Sequence, residues 1–295
     1  MTGNSVIQTT TATPARVRLF QPTQRPTLSE SEWIETAWGR CRVHGRLGQR
    51  HADILEAVLF CAERRKDEEP GTIKLLVDPA KVRKVMSESR YSLEQSWTLL
   101  RELRACTIEI DTPKIRLMGG LVESAEYTKT ETRHDPLTGL PRKLWTVRLG
   151  KAWAELMRLD LTLRYDPTPI ARLGHGISQA VARHVLTHSK APHGGWTLDG
   201  LIHAVAGTIS EGALRNARRR VRLDAEALSL VGIVLEGDRV RRLTSAPLRP
   251  GRSVSQTPDS VPHPPDAVSQ PPGACRTRPA SSGSIRLLRS LHSGP

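Results

Sequence analysis

Residues 212–228 read GALRNARRRVRLDAEAL. Leu214, Ala217, Val221, Ala225 and Leu228 recur at steps of three and four, the spacing of one helix with a narrow inward stripe. Arg215, Arg219 and Arg222 fall on the opposite side, flanked by Asn216, Arg218 and Arg220. Ser210 offers the N-cap. The acids Asp224 and Glu226 come late, so the early turns read as almost purely cationic. The helix macrodipole favours the reverse order, acids first and cations last. An order that costs local stability points to an anionic partner for this face. A charge run is more often a solvated face, so the neighbours of this helix decide its meaning.

Working outward, GISQAVARHVLTHS (176–189) reads as a helix with Ile177, Val181, His184 and Val185 on one stripe. GGWTLDGLIHAVAG (194–207) gives a brief strand and a second helix, with Leu198, Leu201, Ile202 and Val205 inward. The arginine helix is third. GIVLEGDRVRRL (232–243) then reads as a hairpin turning at Glu236, Gly237 and Asp238. The order is helix, strand, helix, helix, hairpin, which is that of a winged helix.

The same order comes earlier. A helix spans about His51 to Arg64, followed by the strand TIKLLV (72–77). Asp78 and Pro79 cap and open the next helix. Ser92 and Gln95 form a capping box before a third helix, whose inward side is read as Leu93, Trp97, Leu100 and Leu103 or Arg104. Strand material follows, ending in KLWTVRLG (143–150) with Trp145, Val147 and Leu149 on one face. KAWAELMRLD (151–160) bridges the two units. The fold class is therefore α+β, two tandem winged-helix domains with disordered N- and C-terminal tails. The expected boundaries are a flexible segment at 1–45, domain 1 at 46–150, domain 2 at 151–245 and a Pro/Ser/Arg-rich tail at 246–295.

Bulk properties agree with a polyanionic partner. The chain has 295 residues, a net charge of +14 and a pI near 10.4. Such a field favours nucleic acid or an anionic membrane surface. Apolar runs such as EAVLF are far below spanning length, so no membrane role is expected. The first residues lack an apolar stretch, so no signal peptide is read and a cytoplasmic setting is expected. Cys41, Cys61, Cys106 and Cys275 have no C-x-x-C spacing, which favours free thiols over zinc or disulfides.

Roles divide by position. Arg215, Asn216 and Arg219 are the expected base readers, since Arg pairs with guanine and Asn with adenine. Arg218, Arg222, Arg239 and Arg241 are expected phosphate anchors, and Arg220 fits either role. In the first unit Lys81, Arg83 and Lys84 cluster with Arg90. The third helix there mixes Glu94, Arg101, Glu102 and Arg104, which suits backbone or protein contact.

The stretches LWTVRLGKAWAELM with PTPIARL, SQAVARHVLTHSKAPHGGWTLDGLIHAVAG and LRNARRRVRLDAEALSLVGI, within about Arg50 to Leu243, resemble plasmid replication initiators of the tandem winged-helix kind. The likeness is to the iteron-binding Rep proteins of IncQ-type plasmids. It implies binding to direct repeats in double-stranded origin DNA, opening of an AT-rich segment and recruitment of the replicative helicase. It also implies monomer and homodimer forms, with the second domain making most base contacts.

Catalysis is not expected. A rolling-circle nuclease needs paired metal-binding histidines and a nucleophilic tyrosine, and no His-hydrophobic-His pair occurs. His184 and His188 have i, i+4 spacing but lack the glutamate of H-E-x-x-H, so no metal is expected. Without a G-x-x-x-x-G-K-[ST] loop there is no nucleotide cofactor, and strand opening would draw on binding energy. A winged-helix transcriptional repressor is the alternative reading, and a charge-driven RNA-binding or scaffold protein a third.

Overall fold

The computed structural model describes residues 10–68, 71–87, 89–134, 139 and 141–243. The tail expected at 246–295, including Cys275, lies outside the described residues.

The described residues begin with β1 (Thr10–Thr11), α1 (Thr13–Arg16), β2 (Ser29–Glu30), β3 (Ile34–Thr36) and β4 (Gly39–Gly45). The expectation of a flexible segment at 1–45 is thereby corrected for residues 10–45, and residues 1–9 lie outside the described residues. Val17, Leu19, Phe20, Cys41 and Val43 are all part of the core. The cause is non-local pairing. β1 pairs antiparallel with Thr162–Leu163, Ala12 N–H donates to Leu161 O, and the Arg16 guanidinium donates to Thr187 O at 2.7 Å. The composition of the segment carries no trace of these distant partners.

The first winged-helix unit runs through α2 (Gln49–Phe60), β5 (Ala62–Glu68), β6 (Thr72–Val77), α3 (Pro79–Met86) and α4 (Leu93–Ala105). It continues with β7 (Thr107–Asp111), β8 (Arg116–Gly120), β9 (Val122–His134) and β10 (Pro141–Leu149). The helix expected as far as Arg64 stops at Phe60, and the charged run after it is an outer strand paired with β6. Asp78 caps α3 by accepting from Ala80 N–H, and Ser92 and Gln95 cap α4 reciprocally. The inward face of α4 is Ser96, Leu99, Leu100 and Leu103, while Leu93 is 39% exposed. β5, β6, β10 and β9 form one antiparallel sheet in that order, with β9–β10 as the wing. β2, β4, β7 and β8 form another, with β3 also on β4, so the N-terminal strands enlarge this unit beyond a minimal winged helix.

The second unit follows α5 (Lys151–Leu159), β11 (Thr162–Leu163) and α6 (Thr168–Ala171). It comprises α7 (Gly176–Leu186), β12 (Trp196–Thr197), α8 (Leu198–Ala206), α9 (Glu211–Leu223), α10 (Ala225–Ser229), β13 (Ile233–Glu236) and β14 (Arg239–Arg242). β12 pairs with β14 as β6 pairs with β10, so in each unit the strand before the helix pair joins the last wing strand. Gly237 takes a positive φ of 61° in the two-residue wing turn.

Among the described residues two apolar cores result, one around Trp145, Trp153, Leu55 and Leu100, the other around Val181, Ile202, Val221 and Ile233. A buried polar seam joins them. Arg183 of α7 donates to Asp53 at 2.6 Å, to Glu56 at 2.9 Å and to Gln49 at 2.7 Å, all on α2. Tyr165 donates to Glu56 at 2.7 Å, and Gln49 donates back to Phe20 O at 3.1 Å. Thus the N-terminal segment, α2 and α7 share one hydrogen-bonded network. Burial pushes the Asp53 carboxyl up and Arg183 opposes that shift.

Candidate nucleic-acid interface

α9 forms because Ser210 accepts from Ala213 N–H at its start and Leu214, Ala217 and Val221 bury one stripe against α7 and α8. It ends at Leu223, earlier than the stripe through Leu228 suggested. Asp224 stops it. Its carboxylate accepts from Gly174 N–H at 3.2 Å and His175 N–H at 3.0 Å, fixing the chain there, and Leu228 belongs to α10.

These ends overturn the macrodipole argument. Glu211 stands in the first turn of α9, and Arg220 and Arg222 in the last. That is the favourable order. Asp224 and Glu226 lie beyond the helix.

Arg218 turns sideways to α8. Its Nε and Nη2 donate to the Asp199 carboxylate at 2.5 and 2.7 Å, and Glu211 lies 3.3 Å from Nη1. The guanidinium holds the Asp199 carboxyl below the usual carboxylate range. Arg222 donates to Asp238 at 2.5 Å, keying the helix to the wing turn. Arg241 pairs with Glu236 across the hairpin at 3.3 Å. Three of the expected phosphate anchors, Arg218, Arg222 and Arg241, are therefore held by acids of the same unit.

Arg215, Asn216, Arg219 and Arg220 on α9, and Arg239 on the wing, are exposed and make no ion pair among the described residues. Arg215, Asn216 and Arg219 share the face opposite the buried stripe. Gly212 lies on it one turn earlier, and a Cβ there would meet nothing within 4 Å. The result is a bare cationic ridge with an open approach. Such a surface can offer guanidinium forks and an amide to base edges, with Arg239 beside it for a flanking phosphate.

The first unit differs. Lys81 pairs with Glu63 at 2.9 Å, and Arg83 donates to Tyr91 O at 3.0 Å. Lys84 is exposed and makes no ion pair among the described residues. On α4, Trp97 stacks on Tyr127 of β9 with ring centres 4.7 Å apart. Arg90 donates to Leu173 O at 3.1 Å and thereby touches the segment that holds Asp224. Sequence reading missed Asp199 and Asp238 as partners, because a residue's ion pair across 16 or 19 positions leaves no local signal. His184 and His188 lie with ring centres 4.9 Å apart, and burial with the His188 neighbour pushes His184 down to about 4.

The architecture has a solved counterpart. It is similar to domains 2 and 3 of RctB. The match has a TM-score of 0.50 and 11% sequence identity, and covers 78% of this chain and 95% of that one. At that identity the likeness concerns the fold. No protein-family model and no curated protein matches the chain. The likeness does not extend to the IncQ type. Among the described residues no helix is long and apolar enough to cross a membrane.

Proposed function

We propose that this chain is a DNA-binding replication initiator that recognises repeated sites in origin DNA. The carrying observation is the ridge of Arg215, Asn216 and Arg219, left without acidic partners on the third helix of a winged-helix unit while neighbouring arginines are paired. That helix is the one that enters the major groove in helix-turn-helix proteins. Arg239 on the wing suits an adjacent phosphate, and Arg220 a phosphate or a base edge. The fold likeness to RctB, itself a replication initiator, supports the same reading. The first unit adds backbone contact through Lys84, and the buried seam holds the two units in one register on the duplex.

In this reading no catalytic step takes place on the chain. Bending and binding energy open the AT-rich segment. The replicative helicase is recruited to the opened strands, and monomers and homodimers differ in which step they support. Footprinting on the DNA flanking the gene tests the proposal. Protection phased over direct repeats is the expected result. One protected palindrome would instead support a winged-helix repressor, and an absence of sequence-specific protection would remove both.

A further inference from the structure

A cleft between the first turn of α2 and the side of α4 has no part in the reading above. Its volume is about 240 Å3, and Arg50, Arg90, Tyr91, Gln95, Thr98 and Glu102 line it. Arg50 enters from α2, with its guanidinium 5.9 Å from the centre of the Tyr91 ring. Its Nε is buried and has no acceptor within the protein, an arrangement that is costly to leave unmet. Arg90 commits Nη1 to Leu173 O at 3.1 Å, which leaves the other donors of its fork. Gln95 uses its Oε1 to accept from Ser92 N–H at 2.8 Å, so its amide NH2 remains to donate. The acid of the cleft, Glu102, is hydrogen-bonded through one oxygen to His51 Nε2 at 2.7 Å, and burial pushes His51 down, toward its neutral form.

Two arginines, a glutamine, a tyrosine and a threonine thus line one small space beside Leu99 and Glu102. Their shared demand is for an acceptor-rich anion. The volume falls below the roughly 300–1,000 Å3 of sites for whole small molecules, which favours a single anionic group over a nucleotide. We propose that this cleft binds a phosphoryl oxyanion, either free phosphate or a phosphate of a nucleic-acid backbone.

The geometry links the cleft to α9. Leu173, held by Arg90, directly precedes Gly174 and His175, whose N–H groups hold Asp224 at the end of α9. A phosphate seated on Arg90 therefore bears on the segment that ends the arginine helix. The backbone source rests on the reading of α9 given above; the free-phosphate source does not.

Thermal unfolding of the full chain in sodium phosphate and in sodium chloride at matched ionic strength tests the site. Phosphate also stabilises proteins by exclusion, an effect common to all variants. A bound phosphate adds a saturable rise in Tm of about 3 °C or more in the wild type. The double variant Arg50→Gln with Arg90→Gln loses that rise. Should the double variant fail to fold, Arg50→Lys, which keeps the charge and loses the fork, replaces it and reduces the rise.

Salt titrations of a fluorescent duplex carrying the protected site then separate the two sources. A salt slope shallower by about 1 in the double variant, the loss of one phosphate contact, assigns the cleft to the DNA backbone. An unchanged slope with the phosphate rise lost assigns it to free phosphate. A folded double variant that keeps both the wild-type rise and the wild-type slope overturns the site, as does a wild type with neither. A wild type that shows the saturable rise but binds no duplex refutes the reading of α9 and leaves the cleft standing.

Discussion

Arg218 on α9 grips Asp199 on α8, with Nε and Nη2 at 2.5 and 2.7 Å from the two carboxylate oxygens. The planar fork fixes the rotation of one helix on the other, which a single point charge would not do. It also withdraws one positive charge from the ridge. Asp199→Asn should release Arg218 toward solvent and keep the fold. Non-specific duplex binding should tighten about 2- to 5-fold and its salt slope steepen by about 1 as a new phosphate contact forms. Preference for the protected site should fall because the ridge is no longer held at one angle. Anisotropy titrations over a range of salt check this, and an unchanged slope with unchanged preference would refute the positioning role.

The seam at Arg183 makes a separate, structural prediction. Asp53 and Arg183 are 1% and 4% exposed, and Glu56 is 4% exposed. Arg183→Met leaves two buried carboxyl groups without their cation and should cost about 3–5 kcal/mol. Replacing Asp53 and Glu56 by apolar residues in the same chain should recover much of that loss. Urea unfolding measures both. A cost under about 1 kcal/mol for Arg183→Met would mean the seam is not desolvated.

The N-terminal segment is part of the core, and Phe20→Ala measures by how much. Phe20 is 7% exposed among core residues of the first unit. Truncation should cost about 3–5 kcal/mol. A freely moving segment would lose less than about 0.5 kcal/mol.

Stability should also fall on mild acidification. Burial and the His188 neighbour push His184 from 6.5 to about 4. The unfolded chain therefore binds a proton below about pH 6.5 that the folded chain refuses until about pH 4. Stability is lost as pH falls through that window and is flat below it. Allowing for partial exposure, His184→Phe should remove about 2 kcal/mol of this dependence. Asp53 acts in the opposite sense, since its carboxyl is raised by burial. Comparing the variant with the wild type cancels that contribution. Equal pH profiles for the two proteins would show that His184 is not buried neutral.

Much of the fold was legible because its signals are local. The Asp78–Pro79 start, the Ser92–Gln95 box and the Ser210 cap each lie within four residues of what they govern. The tandem order of helices, strands and wings follows from apolar periodicity and turn residues. The N-terminal strands were not legible, because Thr10–Thr11 finds its partner at Thr162–Leu163 and has no periodicity of its own. The outer strand Ala62–Glu68 was masked by its charge, which solvent tolerates on an edge. At the site, the arginine face could be read, but not which arginines stay unpaired. Asp199 and Asp238 decide that, and only folding brings them to Arg218 and Arg222. The same limit misplaced the end of α9 and with it the macrodipole argument, because Asp224 is held by Gly174 and His175 some 50 positions earlier.

The central claim is that the unpaired ridge of α9 reads base sequence. Arg219→Ala tests it most directly, by the ratio of its affinity for the protected site to its affinity for random duplex at one salt concentration. The account predicts that this ratio falls by about 5- to 150-fold, the worth of one bidentate base contact, while random-duplex affinity changes little. An equal loss on both duplexes would make Arg219 a phosphate anchor, and an unchanged ratio would contradict base reading by this ridge.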